Sequence, residues 1–365
     1  MKSSSLAVLR TQLFGNKFLL ALVVALVVGG IGVYALVASR AATPFVSAEP
    51  ESGTVARPAL TVADATASGG SAAAFAAVGS GAALMGWQLT AGNVGLAPHG
   101  LSCDSLPAYT GASKPAAGAR ISTVRITSNL DLSNGDIIID KSCIRPTTGD
   151  NRALISDDIC GADECIVPAA MKMVTIRDSE IDASLAPAQQ IAGSCAFRGV
   201  GTLQRNYMHG MGSGICFFGT GYQLDASAEN NYVTALRSYG DSHNEAATVR
   251  DFRITQNAAR TARFINNRLD CQGGNETGGL FIQPTWVDIA NVYVSGNYIE
   301  GGGYNLYLNK AGGNYSNTHA TNNRMRPTGW GPAVVDGGAG WDEWSENYRY
   351  DATKADGKGV AVPEP

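Results

Sequence analysis

Four polar side chains of types that transfer protons or hold anions lie in the second half of the sequence: His243, Glu245, Arg250 and Lys310. Cleavage of an acidic polysaccharide by elimination needs a cation that neutralises the uronate carboxylate and a base that removes the proton at C5. Histidine, arginine and lysine are suited to these roles. We therefore predict a lyase-type catalytic group at these four residues, with His243 between the acids Asp241 and Glu245.

A second set of residues has the chemistry of sugar binding: Phe281, Gln283, Asn305 and Tyr307. Aromatic rings offer flat apolar platforms for sugar rings, and amide groups hydrogen-bond to hydroxyls. We predict that these four residues bind substrate. The alternative interpretation is that the two aromatic rings simply cover the outside of a sheet, as apolar surface residues often do.

Two other functions compete with the lyase. A glycoside hydrolase needs two carboxylates about 5–9.5 Å apart, and the predicted column of Glu245 holds Gly214, Gly279 and Asn305 but no second acid. A non-catalytic glycan-binding, adhesion or structural surface protein needs only the stacking and amide groups. We predict no cofactor and no metal, because no dense aspartate cluster suggests a Ca²⁺ cage and no Cys-x-x-Cys pair suggests zinc.

The elements that must position these residues are read from a repeat. A β-type run, a polar residue, Tyr or Arg, and an apolar residue recur, with the polar anchor at positions 179, 206, 231, 267, 297, 323 and 347. The spacings are 27, 25, 36, 30, 26 and 24 residues. Variable spacing above a constant minimum is typical of a solenoid whose insertions form loops. We predict an all-β right-handed parallel β-helix, with the anchors in a left-handed backbone conformation and their amides bonded from rung to rung.

A second ladder follows the anchors, and its alternation predicts which side chains point inward. Ala246, Leu280 and Leu306 are expected inside, together with Thr248. The expected outward row holds Glu245, Phe281, Gln283, Asn305, Tyr307 and Asn309. Rungs stack about 4.8 Å apart, so His243 and Tyr307 are expected about 10 Å from each other, with room for a sugar between them.

From Gly95 onward the sequence resembles the secreted right-handed parallel β-helix repeat proteins of the pectate-lyase-like superfamily. The matching stretches are residues 174–181, 242–246, 279–284 and 291–304. Family members commonly read His-Asn-Asp-Gly where this chain has His243-Asn244-Glu245-Ala246, and the arginine-proline and Trp-Ile-Asp-His patterns of pectate lyases are missing. The resemblance implies a polysaccharide ligand, most often an acidic one.

Composition agrees with this fold class. The chain has 365 residues, 44 glycines, 16% charged residues and a net charge of −4, which suits an all-β protein with many turns and argues against nucleic acid as a partner. Cys160 and Cys165 are spaced to close a short disulfide loop. Cys195, Cys216 and Cys271 are interpreted as buried apolar side chains, and the odd total of seven leaves at least one thiol unpaired.

Residues 18–38 are uncharged and apolar, and 21 helical residues span about 30 Å, the thickness of a bilayer core. Lys2, Arg10 and Lys17 precede them, which predicts a cytoplasmic N-terminus at residues 1–17 and an extracellular remainder. The segment is interpreted as a single-pass anchor or as a cleaved signal that releases the protein. Residues 39–86 are predicted to form a stalk with a short β-hairpin, 87–350 the β-helix and 351–365 a disordered tail. Trp330, Trp341 and Trp344 lie where the last rungs should end, and we predict that they cap that end of the β-helix. The oligomeric state stays open.

Overall fold

The computed structural model describes residues 59–63, 71–75, 84–160, 165–166, 173–219, 224–252, 259–273 and 275–365. The chain divides into two compact units, Met1–Ser80 and Gly81–Pro365. In the first unit, β1 (Ala59–Ala63) pairs antiparallel with β2 (Ser71–Phe75). The predicted membrane segment lies outside these ranges, and none of the helices within them has the length and apolar character needed to cross a membrane.

The second unit consists of three long parallel sheets arranged as in a parallel β-helix, with almost no helix. Successive strands of one coil belong to three different sheets, so each strand pairs with the equivalent strand of the next coil rather than with its neighbour in sequence. The chain therefore repeats one turn after another around a common interior.

The first sheet contains nine strands. They are β3 (Arg120–Ser122), β6 (Ile138–Asp140), β11 (Val174–Arg177), β14 (Gly201–Gln204), β17 (Ala226–Glu229), β20 (Ala262–Ile265), β23 (Ile289–Ser295), β26 (Tyr315–Thr321) and β29 (Glu343–Ser345). The second sheet contains ten. They are β4 (Arg125–Ile126), β7 (Cys143–Ile144), β12 (Glu180–Asp182), β15 (Tyr207–His209), β18 (Tyr232–Thr234), β21 (Arg268–Cys271), β24 (Tyr298–Gly301), β27 (Arg324–Arg326), β30 (Tyr348–Tyr350) and β31 (Lys358–Ala361).

The third sheet contains eight strands. They are β5 (Leu130–Asp131), β8 (Ile155–Ser156), β13 (Cys195–Gly199), β16 (Ser213–Phe218), β19 (Asn244–Arg250), β22 (Glu276–Gln283), β25 (Tyr304–Asn309) and β28 (Gly331–Asp336). Outside the sheets, β9 (Ile159–Cys160) and β10 (Cys165–Ile166) form a short hairpin that sets Cys160 opposite Cys165. Four short helices complete the described elements: α1 (Ala188–Ile191) and the 3-10 turns Gly86–Gln88, Ala97–His99 and Cys103–Ser105.

The core is built from columns of inward side chains, one residue per coil. In the second sheet Ile181, Met208, Val233, Leu269 and Ile299 are consecutive Cα partners, and all are fully buried. Because side chains alternate between the two faces of a strand, each strand gives its apolar residues to the interior and its polar residues to the outside. The hydrophobic core is therefore continuous from coil to coil.

The polar anchors form the predicted ladder at the corner between the first and second sheets. The backbone N–H of Asn231 donates to Oδ1 of Asn267 at 2.9 Å, and Nδ2 of Asn231 donates to the same oxygen at 3.0 Å. Asn267 repeats both bonds to Asn297. Each amide thus satisfies buried groups of the neighbouring coil, which is why these side chains can be fully buried.

The conformational prediction for the anchors was wrong by one position. The left-handed conformation belongs to the residue immediately before each anchor, with φ of 53° at Arg205, 55° at Asn230 and 54° at Asn266. The strained residue turns the corner, and the anchor that follows is free to aim its amide inward. Arginine rarely adopts a left-handed conformation by itself, so at position 205 this conformation is imposed by the asparagine ladder that follows it.

Residues 84–106 form an extended strap along this corner, which the sequence did not predict. Gly86 N donates to Gly296 O, and Gly95 N, nine residues further along the strap, donates to Arg205 O. The Cys103–Cys143 disulfide then ties the end of the strap to β7. The strap therefore runs from the late coils to the early ones and crosses outward side chains of the second sheet.

The C-terminal residues differ from the predicted disordered tail. Lys358–Ala361 forms β31, antiparallel to β30, and Val362 is buried against the last coil. Trp344 Nε1 donates to Val362 O at 2.9 Å, and the Trp344 ring lies 5.7 Å from that of buried Trp341. Trp341 and Trp344 thus close the end of the core, as predicted for them.

Candidate functional site

A groove of about 590 Å³ lies on the outward face of the third sheet and spans its middle strands. Six of the eight predicted site residues line it: His243, Glu245, Arg250, Phe281, Gln283 and Tyr307. The groove also contains residues that the sequence did not single out, among them Arg198, Ser213, Phe218 and Thr277. These were missed because their types are common on sheet surfaces and no motif marks them.

Two outward columns build the floor of the groove. Cys216, Thr248, Phe281 and Tyr307 are successive Cα partners, and Phe218, Arg250 and Gln283 form the adjacent column. The predicted facing of β19 was wrong by one residue: Ala247 and Val249 pair with the inward residues of the neighbouring strands, and Thr248 points outward. Ala246 and Ala247 are adjacent and chemically identical, so alternation alone does not decide which of the two pairs with the inward residues of the neighbouring strands.

Glu245 is buried at the wall of the groove, with 5% of its surface exposed. Its Cα partner is Gly278, and Tyr304 follows in the same column, in place of the predicted Gly214, Gly279 and Asn305. Ser213 Oγ donates to Glu245 Oε2 at 3.3 Å. Burial raises the pKa of Glu245 above its ordinary value, and the positive charge of Arg250 opposes the shift. A carboxyl group in this position tends to keep its proton and is suited to donate it.

Three polar atoms of β19 are buried without a hydrogen-bond partner among the described residues: Glu245 Oε1, Thr248 Oγ1 and Arg250 Nε. All three residues line the same groove. The Arg250 guanidinium lies 5.8 Å from the centre of the Phe218 ring, which holds its charge at the groove wall. Buried polar groups normally have partners, so this concentration makes the groove the candidate functional site among the described residues.

His243 is exposed at the mouth of the groove, directly before β19. Its Nδ1 lies 3.1 Å from Thr277 Oγ1, which fixes the orientation of the ring. An imidazole held by one nitrogen can accept a proton at the other, which is the geometry that a general base requires.

The two predicted stacking rings are close but not equivalent. The centres of Phe281 and Tyr307 lie 4.7 Å apart, yet only 4% of Phe281 is exposed, so Phe281 mainly supports Tyr307 from below. The Tyr307 hydroxyl donates to Asp336 Oδ2 at 3.0 Å. Burial and then this bond raise the pKa of Tyr307, so its hydroxyl remains a hydrogen-bond donor.

Two predicted site residues lie elsewhere. Asn305 is fully buried and its Nδ2 donates to Gly301 O, so it braces a bend instead of facing outward. Lys310 is exposed in the loop after β25 and does not line the groove. Gln283, as predicted, is outward, and its Nε2 donates to Asn309 Oδ1 at 3.3 Å.

Arg198 connects this groove to a second one of about 540 Å³ at the N-terminal end of the same sheet. Its Nε donates to both oxygens of Asp158, at 3.1 and 2.8 Å. Burial raises the pKa of Asp158, and the Arg198 charge opposes this. Asp131 and Asp150 also line the second groove, so the outward face changes from acidic to aromatic along the sheet.

The cysteines of this region differ in part from the interpretation as isolated apolar side chains. Cys195 and Cys216 form a disulfide between neighbouring strands at the edge of the groove, whereas Cys271 is a buried free thiol, as expected. Two disulfides are therefore present among the cysteine side chains described. The predicted disulfide between Cys160 and Cys165 lies outside the side chains that the structure describes.

One cluster of metal-ligand types occurs on the second sheet, where ligand atoms of Glu180, Asp182 and His209 lie within 4.8 Å of one another. His209 Nε2 lies 3.0 Å from Glu180 Oε1, and Arg145 Nε lies 2.7 Å from Asp182 Oδ2. The carboxylates of Glu180 and Asp182 and the imidazole of His209 thus already have partners within the protein. The cluster is accounted for as an ion-pair network.

Trp330 does not cap the fold as Trp341 and Trp344 do. Its side chain is 71% exposed directly before β28, and its ring contacts Tyr304 edge-on at 5.5 Å between centres.

Comparison of the chain with known protein families, with curated proteins and with solved structures finds no match.

Proposed function

We propose that this protein binds an acidic polysaccharide in the groove of the third sheet. The observation that carries the proposal is the set of buried, unpartnered polar atoms on Glu245, Thr248 and Arg250, all within one groove. Hydroxyl and carboxylate groups of a ligand supply the partners that these atoms lack among the described residues.

The ligand class follows from the rest of the lining. Arg250 carries a positive charge suited to a uronate carboxylate. The Tyr307 ring, supported by Phe281, offers a surface for a sugar ring, and Gln283 and Asn309 offer amides to its hydroxyls. The floor spans four strands at about 4.8 Å each, a length that fits a chain better than a single sugar.

A second, catalytic proposal is elimination of the lyase type. His243 takes the C5 proton, the C–H electron pair becomes the new C4–C5 double bond, and the bond from C4 to the glycosidic oxygen breaks. Glu245 gives its proton to the leaving oxygen, and Arg250 stabilises the negative charge that develops on the carboxylate. Hydrolysis is less well supported, because Glu245 is the one carboxylate among the residues that line this groove.

We also propose the finer features of the fold and location. A right-handed coil agrees with the strong preference of parallel strand connections for that hand, and the resemblance to the pectate-lyase-like superfamily supports it. The apolar segment at residues 18–38, preceded by Lys2, Arg10 and Lys17, supports a protein anchored in or exported through the cell membrane, with the sheets outside.

The test uses the purified full-length protein with a panel of acidic and neutral polysaccharides. Binding is measured by co-sedimentation, elimination by the ultraviolet absorbance of the unsaturated product, and hydrolysis by reducing ends. Arg250→Ala should weaken binding of the acidic glycan about thirtyfold, because it removes a charged group at the centre of the site. The matched control is Arg263→Ala, which removes an exposed arginine from the first sheet and should leave binding unchanged.

His243→Ala separates catalysis from binding. It should abolish formation of the unsaturated product and leave affinity nearly intact, since proton transfer stabilises the transition state more than the bound ground state. Binding with no turnover by the wild-type protein would leave a glycan-binding surface protein and refute the elimination. Failure of every acidic glycan to bind, or equal losses in Arg250→Ala and Arg263→Ala, would refute the site.

A further inference from the structure

A chain of aromatic rings leads out of the groove toward the last coils. The centre of the Tyr307 ring lies 5.6 Å from that of Tyr304, and the Tyr304 ring lies 5.5 Å from that of Trp330. Both contacts are edge-on, with interplanar angles of 68° and 67°. Trp330 therefore lies at most about 11 Å from Tyr307, as the two steps of 5.6 and 5.5 Å add, and Tyr304 connects it by ring contacts to the groove.

The exposure of Trp330 lowers the contribution of its ring to the stability of the fold. With 71% of its surface exposed, it gives up most of the free energy that burial of so large an apolar side chain provides. Trp341, eleven residues later in the sequence, is only 6% exposed and lies in the closing end of the core. The chain thus has room for buried tryptophans at this end and leaves Trp330 outside.

The exposed ring is held in place rather than loose. Trp330 N donates to Gly303 O at 2.6 Å, and a Cβ at position 303 would lie 2.7 Å from Cζ3 of Trp330. The indole therefore rests directly on the Gly303 backbone, with the edge of Tyr304 beside it. Gly302, with φ of 80°, gives the backbone the bend that brings Gly303 under the ring. A ring fixed in this way loses little conformational entropy when a ligand stacks on it.

We propose that Trp330 and Tyr304 form a second subsite, at which a sugar ring of the same acidic polysaccharide stacks. The inference rests on the proposed function and adds that affinity depends on chains long enough to reach from Tyr307 to Trp330. A sugar chain is the occupant that fits, because the aromatic line is continuous with the groove and ends on a single flat ring. Stable protein interfaces bury a far larger patch than one indole.

The experiment compares a uronic acid disaccharide with the long polymer of the same acid, using polygalacturonate, alginate and hyaluronan and their disaccharides as probes for the full-length protein. Trp330→Ala should weaken binding of the polymer about thirtyfold and leave binding of the disaccharide unchanged. Trp330→Phe, which keeps an aromatic face, should recover part of the loss. The matched control is Trp286→Ala, because Trp286 is 61% exposed in the loop after β22 and outside the aromatic line.

The outcomes separate this inference from the function on which it rests. Polymer binding that Arg250→Ala weakens but Trp330→Ala does not would overturn the second subsite and keep the groove. Equal losses for disaccharide and polymer, or an equal loss in Trp286→Ala, would show that Trp330 acts through general structure and would also overturn it. Absence of wild-type binding to every probe would overturn both proposals.

Discussion

The outward faces of the second and third sheets show two ways of burying polar groups on the same coil. On the second sheet, Glu300 is 3% exposed, and its carboxylate receives Arg268 at 2.8 Å and Arg326 at 3.3 Å. On the third sheet, Glu245 is equally buried, yet one of its oxygens has no hydrogen-bond partner among the described residues. Both carboxylates belong to the same repeating architecture, and only their neighbours differ.

The difference follows from what covers each face. The strap crosses the second sheet, where Leu89 O accepts from Arg268 and the Trp87 ring lies 4.3 Å from the Arg324 guanidinium. Desolvation there is offset by paired charges, as stability requires. The groove of the third sheet contains buried polar atoms without hydrogen-bond partners among the described residues, and these lower the stability of the fold. Such local losses of stability are typical of sites that bind a ligand. The second sheet is therefore interpreted as structural and the third as functional.

The largest effect is expected where the strap is tied down. Cys103→Ser opens a disulfide that closes 40 residues of sequence, and the loop entropy released in the unfolded chain should lower the free energy of unfolding by about 4 kcal/mol. Denaturant unfolding under non-reducing conditions measures it. Cys271→Ala, which changes a buried free thiol, is the control and should lose less. Equal losses would mean that the tie to the strap contributes no special stability.

The paired charges of the second sheet should give the next largest effect. Glu300→Ala leaves Arg268 without its carboxylate in a partly buried position and should cost about 2–3 kcal/mol, less than a fully buried pair because Arg326 is exposed. The control is Glu343→Ala, whose exposed carboxylate pairs with His319 and should change stability by less than about 0.5 kcal/mol. A loss at Glu300 no larger than at Glu343 would contradict the structural role of this face.

A pair of threonines tests the comparison by the sign of the effect. Thr248→Val removes a buried hydroxyl without a partner among the described residues and should raise the free energy of unfolding by up to about 1 kcal/mol. Thr234→Val removes a hydroxyl that donates to Asp270 at 2.7 Å on the second sheet and should lower it by about 1 kcal/mol. Thermal unfolding of both variants decides the matter. Effects of the same sign would remove the distinction between the two faces.

The smallest effect concerns pH. Burial raises the pKa of Glu245, so the folded protein keeps this proton at pH values where the unfolded chain, with a pKa near 4.5, has lost it. Wild-type stability should therefore fall as pH rises from about 4.5 to the folded pKa. Glu245→Gln has no proton to lose, so its stability relative to wild type should increase across that window. Unfolding free energies measured below and above the window test this, and a constant difference would argue against the protonated carboxyl.

The candidate site could be predicted only in part. Six of the eight predicted residues line one groove, because strand alternation and a constant rung spacing place residues that are distant in sequence on one face. Asn305 was misplaced because its buried amide donates to Gly301 O in the preceding bend, a contact that strand alternation does not indicate. Thr248 was assigned inward because the adjacent residues Ala246 and Ala247 leave the phase of the alternation in β19 undecided.

The sequence by itself determined the repeat. The asparagines at successive anchors are the residues that a stacked corner requires, since an amide can both donate and accept between coils, and this periodicity needs no tertiary information. Only the tertiary structure decided which polar groups are paired, where the strap runs and that Trp330 stays exposed while Trp341 is buried. Those properties depend on contacts between segments that are far apart in the chain: Trp330 N donates to Gly303 O, and a disulfide joins Cys103 to Cys143. The local pattern of apolar and polar residues is sufficient to predict the length of one coil. The partners of an outward side chain, in contrast, depend on the coils and segments that pack beside it.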